Sequence, residues 1–177
     1  MLLKLESPKL LSDIVSIISE LVNEVRLKIN KEGISLTAVD PANVAMIYFK
    51  IPADLFSQFN LEKEEVLGLS LDSLKSVLRR CGLGSSLIIE KEDNLLKLKI
   101  HDRIKRDFTL ALIDIEAEEK PMPQWEFKSV IKMDSGSFVE VIEDCLVVSD
   151  ACTFIASPTS FVVEAQDTAD VSDVKVG

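Results

Sequence analysis

Two stretches of this chain, far apart in the sequence, spell the same order of elements. Leu10 to Asp40 reads as an amphipathic helix followed by two short strands, and Phe138 to Ala165 repeats that order. Glu24 corresponds to Asp150 and Ile34 to Phe161, so the offset is constant to within one residue. Repetition on this scale requires two copies of one structural unit, assembled by duplication. The second copy runs only to Gly177, so the second domain is expected to be incomplete.

The first copy can be read element by element. Met1 to Leu5 is expected as a strand, and Ser7-Pro8 as a helix start, with Ser at the cap and Pro at the first helical position. The helix runs to Val22, with Leu10, Leu11, Ile14, Ile17, Ile18 and Leu21 as its core face. Strands follow at Val25 to Asn30 and Ile34 to Val39, joined through Lys31-Glu32-Gly33, where glycine permits a tight hairpin. The turn Asp40 to Asn43 leads into a strand from Val44 to Ile51, and a polar connection leads to another from Val66 to Leu69. A second helix spans Leu71 to Cys81 and is closed by Gly82. Ser86 to Lys91, Leu95 to His101 and Asp107 to Ile113 complete an antiparallel sheet. The fold class is therefore α+β, rich in antiparallel strands.

Residues 114–126 change in character, with clustered carboxylates, Pro121 and Pro123, and no usable periodicity. That composition reads as an extended linker between domains at 1–113 and 127–177. Phe127 to Met133 is expected to resume as a strand and open the second copy. Residues 1–113 carry equal numbers of basic and acidic side chains, so the whole net charge of −10 lies beyond them. An acidic total excludes a protein that coats nucleic acid by bulk attraction, although a local basic stripe is compatible with it. No run of about 18 apolar residues and no charged start before an apolar stretch suggests a membrane span or export signal. A soluble, intracellular protein is expected, cytoplasmic in a prokaryote or nuclear in a eukaryote. Cys81, Cys145 and Cys152 lie in apolar stretches without CxxC spacing and read as buried free thiols.

The ordered segments GISLTAVDPANVAM, LDSLKSVLRR, the acidic proline-bearing linker and FKSVIKMDSGSFVEVIEDC resemble the sliding clamp of archaea and eukaryotes, the proliferating cell nuclear antigen family. The resemblance runs from Met1 to about Val176. It implies a DNA-clamp fold with helices lining an inner face, three subunits closed into a ring, and duplex DNA passing through without sequence preference. It also implies no catalytic activity. Its partners would be DNA polymerase, clamp loader, nuclease and ligase clients that dock through short peptide motifs. A clamp-like adaptor, a checkpoint-clamp subunit of a heterotrimer and a non-functional clamp fragment stand as alternatives.

The resemblance also assigns sites. Lys75, Arg79 and Arg80 on the second helix would face DNA, joined by Lys9 on the first, although the same pattern suits a solvated helix face. Sliding needs weak contacts to phosphate rather than to base edges. The third helix carries Glu140, Glu143 and Asp144, which repel phosphate, so the DNA contact is expected in the first domain. Client peptides would dock by a helix-in-groove mode at Val39, Asn43 and Met46 and at the linker residues Pro121, Met122 and Pro123. On residues alone, Val39 and Met46 equally fit an ordinary strand core. Subunits would pair through Thr109, Leu110, Ala111, Leu112 and Ile113 of one copy and Val171, Val174 and Val176 of the next.

Enzyme readings find little support in the residues. The single histidine, His101, stands beside Asp102 with no activated serine or cysteine motif, and no phosphate loop, dinucleotide fingerprint or HExxH is present. Glu90, Glu92 and Asp93 are acidic strand ends, and neither a metal nor a cofactor is expected. With strand edges left unpaired, this chain is expected to form stable trimeric rings poorly. A homogeneous trimer in sedimentation would refute that expectation.

Overall fold

The computed structural model describes residues 1–115, 126–166 and 173–176. The chain divides into two compact units, Met1–Met122 and Pro123–Gly177. Among the described residues of the first, alternation of apolar and polar residues makes nine strands: β1 (Leu2–Leu5), β2 (Glu24–Asn30), β3 (Gly33–Val39), β4 (Met46–Pro52), β5 (Gln58–Asn60), β6 (Glu65–Ser70), β7 (Ser86–Glu92), β8 (Leu95–His101) and β9 (Lys105–Ala111). Two helices interrupt them, α1 (Lys9–Ile18) and α2 (Leu71–Leu78). The strands form two antiparallel sheets, one ordered β4-β3-β2-β6 and the other β5-β1-β7-β8-β9. Ile34, Leu36 and Ala38 of β3 point inward, as do Leu96, Leu98 and Ile100 of β8, and both sets join one core with both helices. The outward residues of β8 pair across to β7, Lys99 with Glu90 at 2.6 Å and Lys97 with Glu92.

Close approach of backbone explains two glycines. A side chain at Gly33 would collide with the Ile51 carbonyl and sit 2.9 Å from the Ala53 nitrogen, and its φ of +137° is open to glycine alone. A side chain at Gly68 would meet the Ile113 carbonyl, because the chain after β9 crosses to the other sheet there and the Ile113 N–H donates to the Gly68 carbonyl at 3.0 Å.

Several expectations are corrected. The core face of α1 is Leu11, Val15 and Ile18, whereas Leu10 is 53% and Ile17 65% exposed, and Leu21 is also exposed. Its helical bonding ends at Ile18, after which Glu20 and Leu21 donate to carbonyls three residues back. Ser7 does not cap it; Pro8 occupies that position without a side-chain bond. Helix α2 likewise ends at Leu78, in a tightened turn through Cys81. The left-handed glycine beyond it is Gly84, at φ +77°, rather than Gly82. The stretch after Pro52, read as a polar connection, contains a 3-10 turn at Ala53–Leu55 and the edge strand β5. There Phe56 is buried and meets Phe59 edge to face at 5.2 Å.

In the second unit, α3 (Ser135–Val148) starts at Asp134, whose carboxylate accepts the Ser137 N–H at 3.0 Å. Strands β10 (Thr153–Ala156), β11 (Phe161–Gln166) and β12 (Asp173–Val176) form an antiparallel sheet in that order. Its small core is Cys145, Val163 and Ala165, with Cys152 and Phe161 packed against them. Phe127 to Met133 is not a strand: among the described residues no strand pairs with it, and Phe127, Val130, Ile131 and Met133 are exposed. Alternation alone cannot hold an extended segment without a ladder.

The corrected helix face has a measurable consequence. Leu98→Ala is expected to lower the unfolding free energy by roughly 2–5 kcal/mol, whereas Leu10→Ala should change it by less than about 0.5 kcal/mol. Urea denaturation of both variants checks this, and equal losses would contradict the face assignment.

Candidate functional site

Helix α2 follows directly on β6. Ser70 caps it by accepting the Ser73 N–H at 3.4 Å, and Leu71, Leu74, Val77 and Leu78 anchor its inner side. Leu71 is further tied by its N–H to the Asn23 carbonyl at 2.8 Å, just before β2. The outer side presents Asp72, Ser73, Ser76, Arg79 and Arg80 to solvent.

The four cations expected here do not stand alike. Lys75 has a side chain only 15% exposed, and its ammonium donates to Glu20 at 2.9 Å and to the Ser19 hydroxyl at 2.7 Å. The hydrogen bond from Lys75 holds the Glu20 carboxyl below its ordinary range. Lys75 therefore ties α2 to the end of α1 and is not a free cation. Lys9 is exposed but pairs with Asp13 one turn along α1, at 2.9 Å. Arg79 and Arg80 are exposed, and among the described residues no ion pair engages either. Lys9 and Arg79 line the same shallow hollow with Ser12 and Gly82, so the start of α1 lies beside the end of α2. With those pairs cancelled, Arg79 and Arg80 remain as unpaired cations at the C-terminus of α2, where positive charge is favoured, and Asp72 remains as a carboxylate in its first turn, where negative charge is favoured. On α3, Glu140, Glu143 and Asp144 are exposed.

The second cluster surrounds the turn between β3 and β4. Asp40 Oδ1 accepts the N–H groups of Val44 and Ala45, each at 2.7 Å, and Oδ2 accepts that of Ala42 at 3.3 Å. Asn43 adopts φ +57°, the left-handed conformation asparagine tolerates. This wrapping delays β4, which begins at Met46 rather than Val44. Beside the turn lies a hollow of about 500 Å³ lined by Val39, Asp40, Asn43, Arg26, Tyr48 and Ile115, among others. Val39 is half-buried and Met46, its partner in the ladder, is exposed, so neither belongs to the core. Val39 and Asn43 line the hollow, and Met46 does not. Pro121, Met122 and Pro123 lie outside the described residues. Sequence reasoning missed Arg26, Thr37 and Tyr48, although period two on β2, β3 and β4 places all three on the outer face.

Of the residues expected at a subunit contact, Thr109, Leu110 and Ala111 lie on β9, the edge of its sheet. Leu112 is buried and its N–H donates to the Asn94 carbonyl at 2.9 Å, so with Ile113 it is spent within its own unit. Val174 and Val176 lie on β12, opposite Ala165 and Val163, and Val171 falls outside the described residues.

A family model described as "Proliferating cell nuclear antigen, N-terminal domain" matches residues 1–120. The DNA polymerase sliding clamp of Pyrococcus abyssi is 33% identical over 172 residues, 97% of this chain and 69% of that protein. That of Thermococcus onnurineus is 32% identical over 166 residues, covering 93% and 67% respectively. Among solved structures, the PCNA2-PCNA3 complex from Sulfolobus tokodaii matches with a TM-score of 0.86 at 25% identity, over 100% of this chain and 73% of that one. PCNA from Thermococcus kodakaraensis matches in fold with a TM-score of 0.87 at 22% identity, over 99% and 71%.

Three N–H donors favour the charged form of Asp40, led by that of Ala45, and hold its carboxyl below the ordinary 3.8. A depressed folded value means that the turn is stabilised above the unfolded value and loses this contribution as pH falls through the folded one. A side-chain NMR titration should therefore place the Asp40 midpoint below 3.8. A midpoint at or above that value would contradict the wrapping of the Asp40 carboxylate by these N–H groups.

Proposed function

The chain belongs to the proliferating cell nuclear antigen family of DNA polymerase sliding clamps, and on that premise we propose that Arg79 and Arg80 are its main contacts to duplex DNA. The observation that carries this is the difference between paired and unpaired cations on the two helices: Lys75 and Lys9 are neutralised, and the two arginines are not. Two cations per subunit supply a weak, salt-sensitive attraction to phosphate, which is what a protein that must slide requires. Acting as a scaffold rather than an enzyme, the protein would close with other clamp subunits into a ring, with the β9 edge as one half of each joint.

The hollow beside Asp40 is the reading best supported for clients. It has an apolar wall in Val39 and Ile115 and polar groups in Asn43, Arg26 and Tyr48, the mixture a short helical plug needs for both affinity and orientation. Replication proteins such as polymerases, the clamp loader, nucleases and ligases would reach it through short peptide motifs.

Fluorescence anisotropy of a labelled 30-base-pair duplex, titrated with protein across a range of salt, tests the DNA contact. Arg79→Ala and Arg80→Ala should each reduce the slope of log K against log salt by about 1, while the Glu20→Ala, Lys75→Ala double variant, which removes the neutral pair whole, leaves it unchanged. A wild-type slope in the Arg79→Ala, Arg80→Ala double variant would sink the assignment.

A further inference from the structure

Two loops that are distant in sequence meet at the end of α2, and the bonds between them form a closed set. Ser85, in the loop between α2 and β7, is 1% exposed and is the one buried polar residue among those described. Its hydroxyl accepts the Gly82 N–H at 2.9 Å and donates to Asp102 Oδ2 at 3.0 Å. Asp102 opens the turn between β8 and β9, where its Oδ1 accepts the Ile104 N–H at 2.9 Å. The same carboxylate pairs with Arg106, whose other guanidinium nitrogen donates to the Arg80 carbonyl at 3.0 Å. Bonds therefore run from Gly82 through Ser85, Asp102 and Arg106 back to Arg80, around the turn that follows α2.

That turn needs outside support. Beyond Leu78 the helix tightens, with Arg80 donating to Val77 and Cys81 to Leu78, and the Arg80 carbonyl lies past the last of these bonds. Arg106 satisfies the Arg80 carbonyl, and Ser85 satisfies the Gly82 N–H. The Arg106 Nε is buried without a partner, so its guanidinium is held by the two bonds at its tip rather than by bonds all round. A carboxylate held by a backbone N–H, a hydroxyl and an arginine is a rigid post.

We propose that Asp102, Ser85 and Arg106 are positioning residues for phosphate contact: they fix the backbone of residues 79–82 so that the Arg79 and Arg80 side chains are presented together. The proposal rests on the reading of those arginines as the DNA contacts. Its physical content is preorganisation, since a turn held before DNA arrives need not be ordered on binding.

Asp102→Asn separates positioning from a simple field effect by sign. Removing a negative charge beside cations that face phosphate should by field alone tighten binding. Loss of the post should instead weaken it, by about fivefold at fixed low salt, the factor that corresponds to one ordinary net hydrogen bond. Ser85→Ala, which changes no charge, should weaken binding in the same direction by a smaller factor. In the Arg79→Ala, Arg80→Ala background, Asp102→Asn should no longer weaken binding. Amide exchange at Gly82, read without DNA, should quicken in both single variants. The proposal is overturned if Asp102→Asn binds duplex as well as or better than the wild type while the arginine variants bind worse, or if Gly82 exchange is unchanged. If the arginine variants themselves bind as the wild type does, the DNA assignment falls first and the positioning role with it, whatever Gly82 does.

Discussion

Leu3, Leu87, Leu98 and Ile100 have no exposed surface, and they come from three neighbouring strands of one sheet. Facing them in the same core are Ile29, Ile34 and Leu67 from the other sheet and Leu11, Ile18 and Leu78 from the two helices. Each fully buried aliphatic side chain contributes on the order of 1.5–3 kcal/mol by leaving water. Neither sheet nor either helix could bury its apolar side alone. The joint at Gly68 depends on this shared core, because the chain can leave β9 and cross to β6 only where the two sheets already lie together. That crossing brings Ile115 to the hollow beside Asp40, so one apolar core also shapes that outer surface.

Charge on the two helices follows from the same packing. Because α1 and α2 lie side by side, Glu20 reaches Lys75 and removes it from the set of available cations. A pair whose carboxylate stands in solvent adds little stability; its effect here is selective, leaving Arg79 and Arg80 as the unpaired cations. Those arginines sit where helix α2 loses its regular bonding, and the turn beneath them is held by groups from a different hairpin. Stiff backbone and exposed, unpaired charge thus coincide at one end of the first unit.

Much of this was legible in the residues. Period two marked most of the strands, Gly33 marked the hairpin, and the span Leu71 to Cys81 marked α2 to within a turn of its end. The face of α1 was not legible, because Leu10, Ile14, Ile17 and Leu21 form as good a helical stripe as Leu11, Val15 and Ile18 do. Phe127 to Met133 has strand-like content and no ladder, and β5 is a three-residue edge whose pairing with β1 leaves little local pattern. At the hollow beside Asp40, Val39 and Asn43 came from the resemblance, while Arg26 and Tyr48 were visible only as alternation on an unremarked face.

By itself the sequence determined the antiparallel character and the basic end of α2, because local periodicity and composition are properties of neighbouring residues, and its ordered segments carried the resemblance to the family. Only the tertiary structure decided which of two apolar stripes is buried, which cations are already paired and what holds the turn after α2. Lys75 and Glu20 are 55 positions apart, and Arg106 and Arg80 are 26 apart. A bond across such distances is set by how elements pack, and no local pattern in the chain records it.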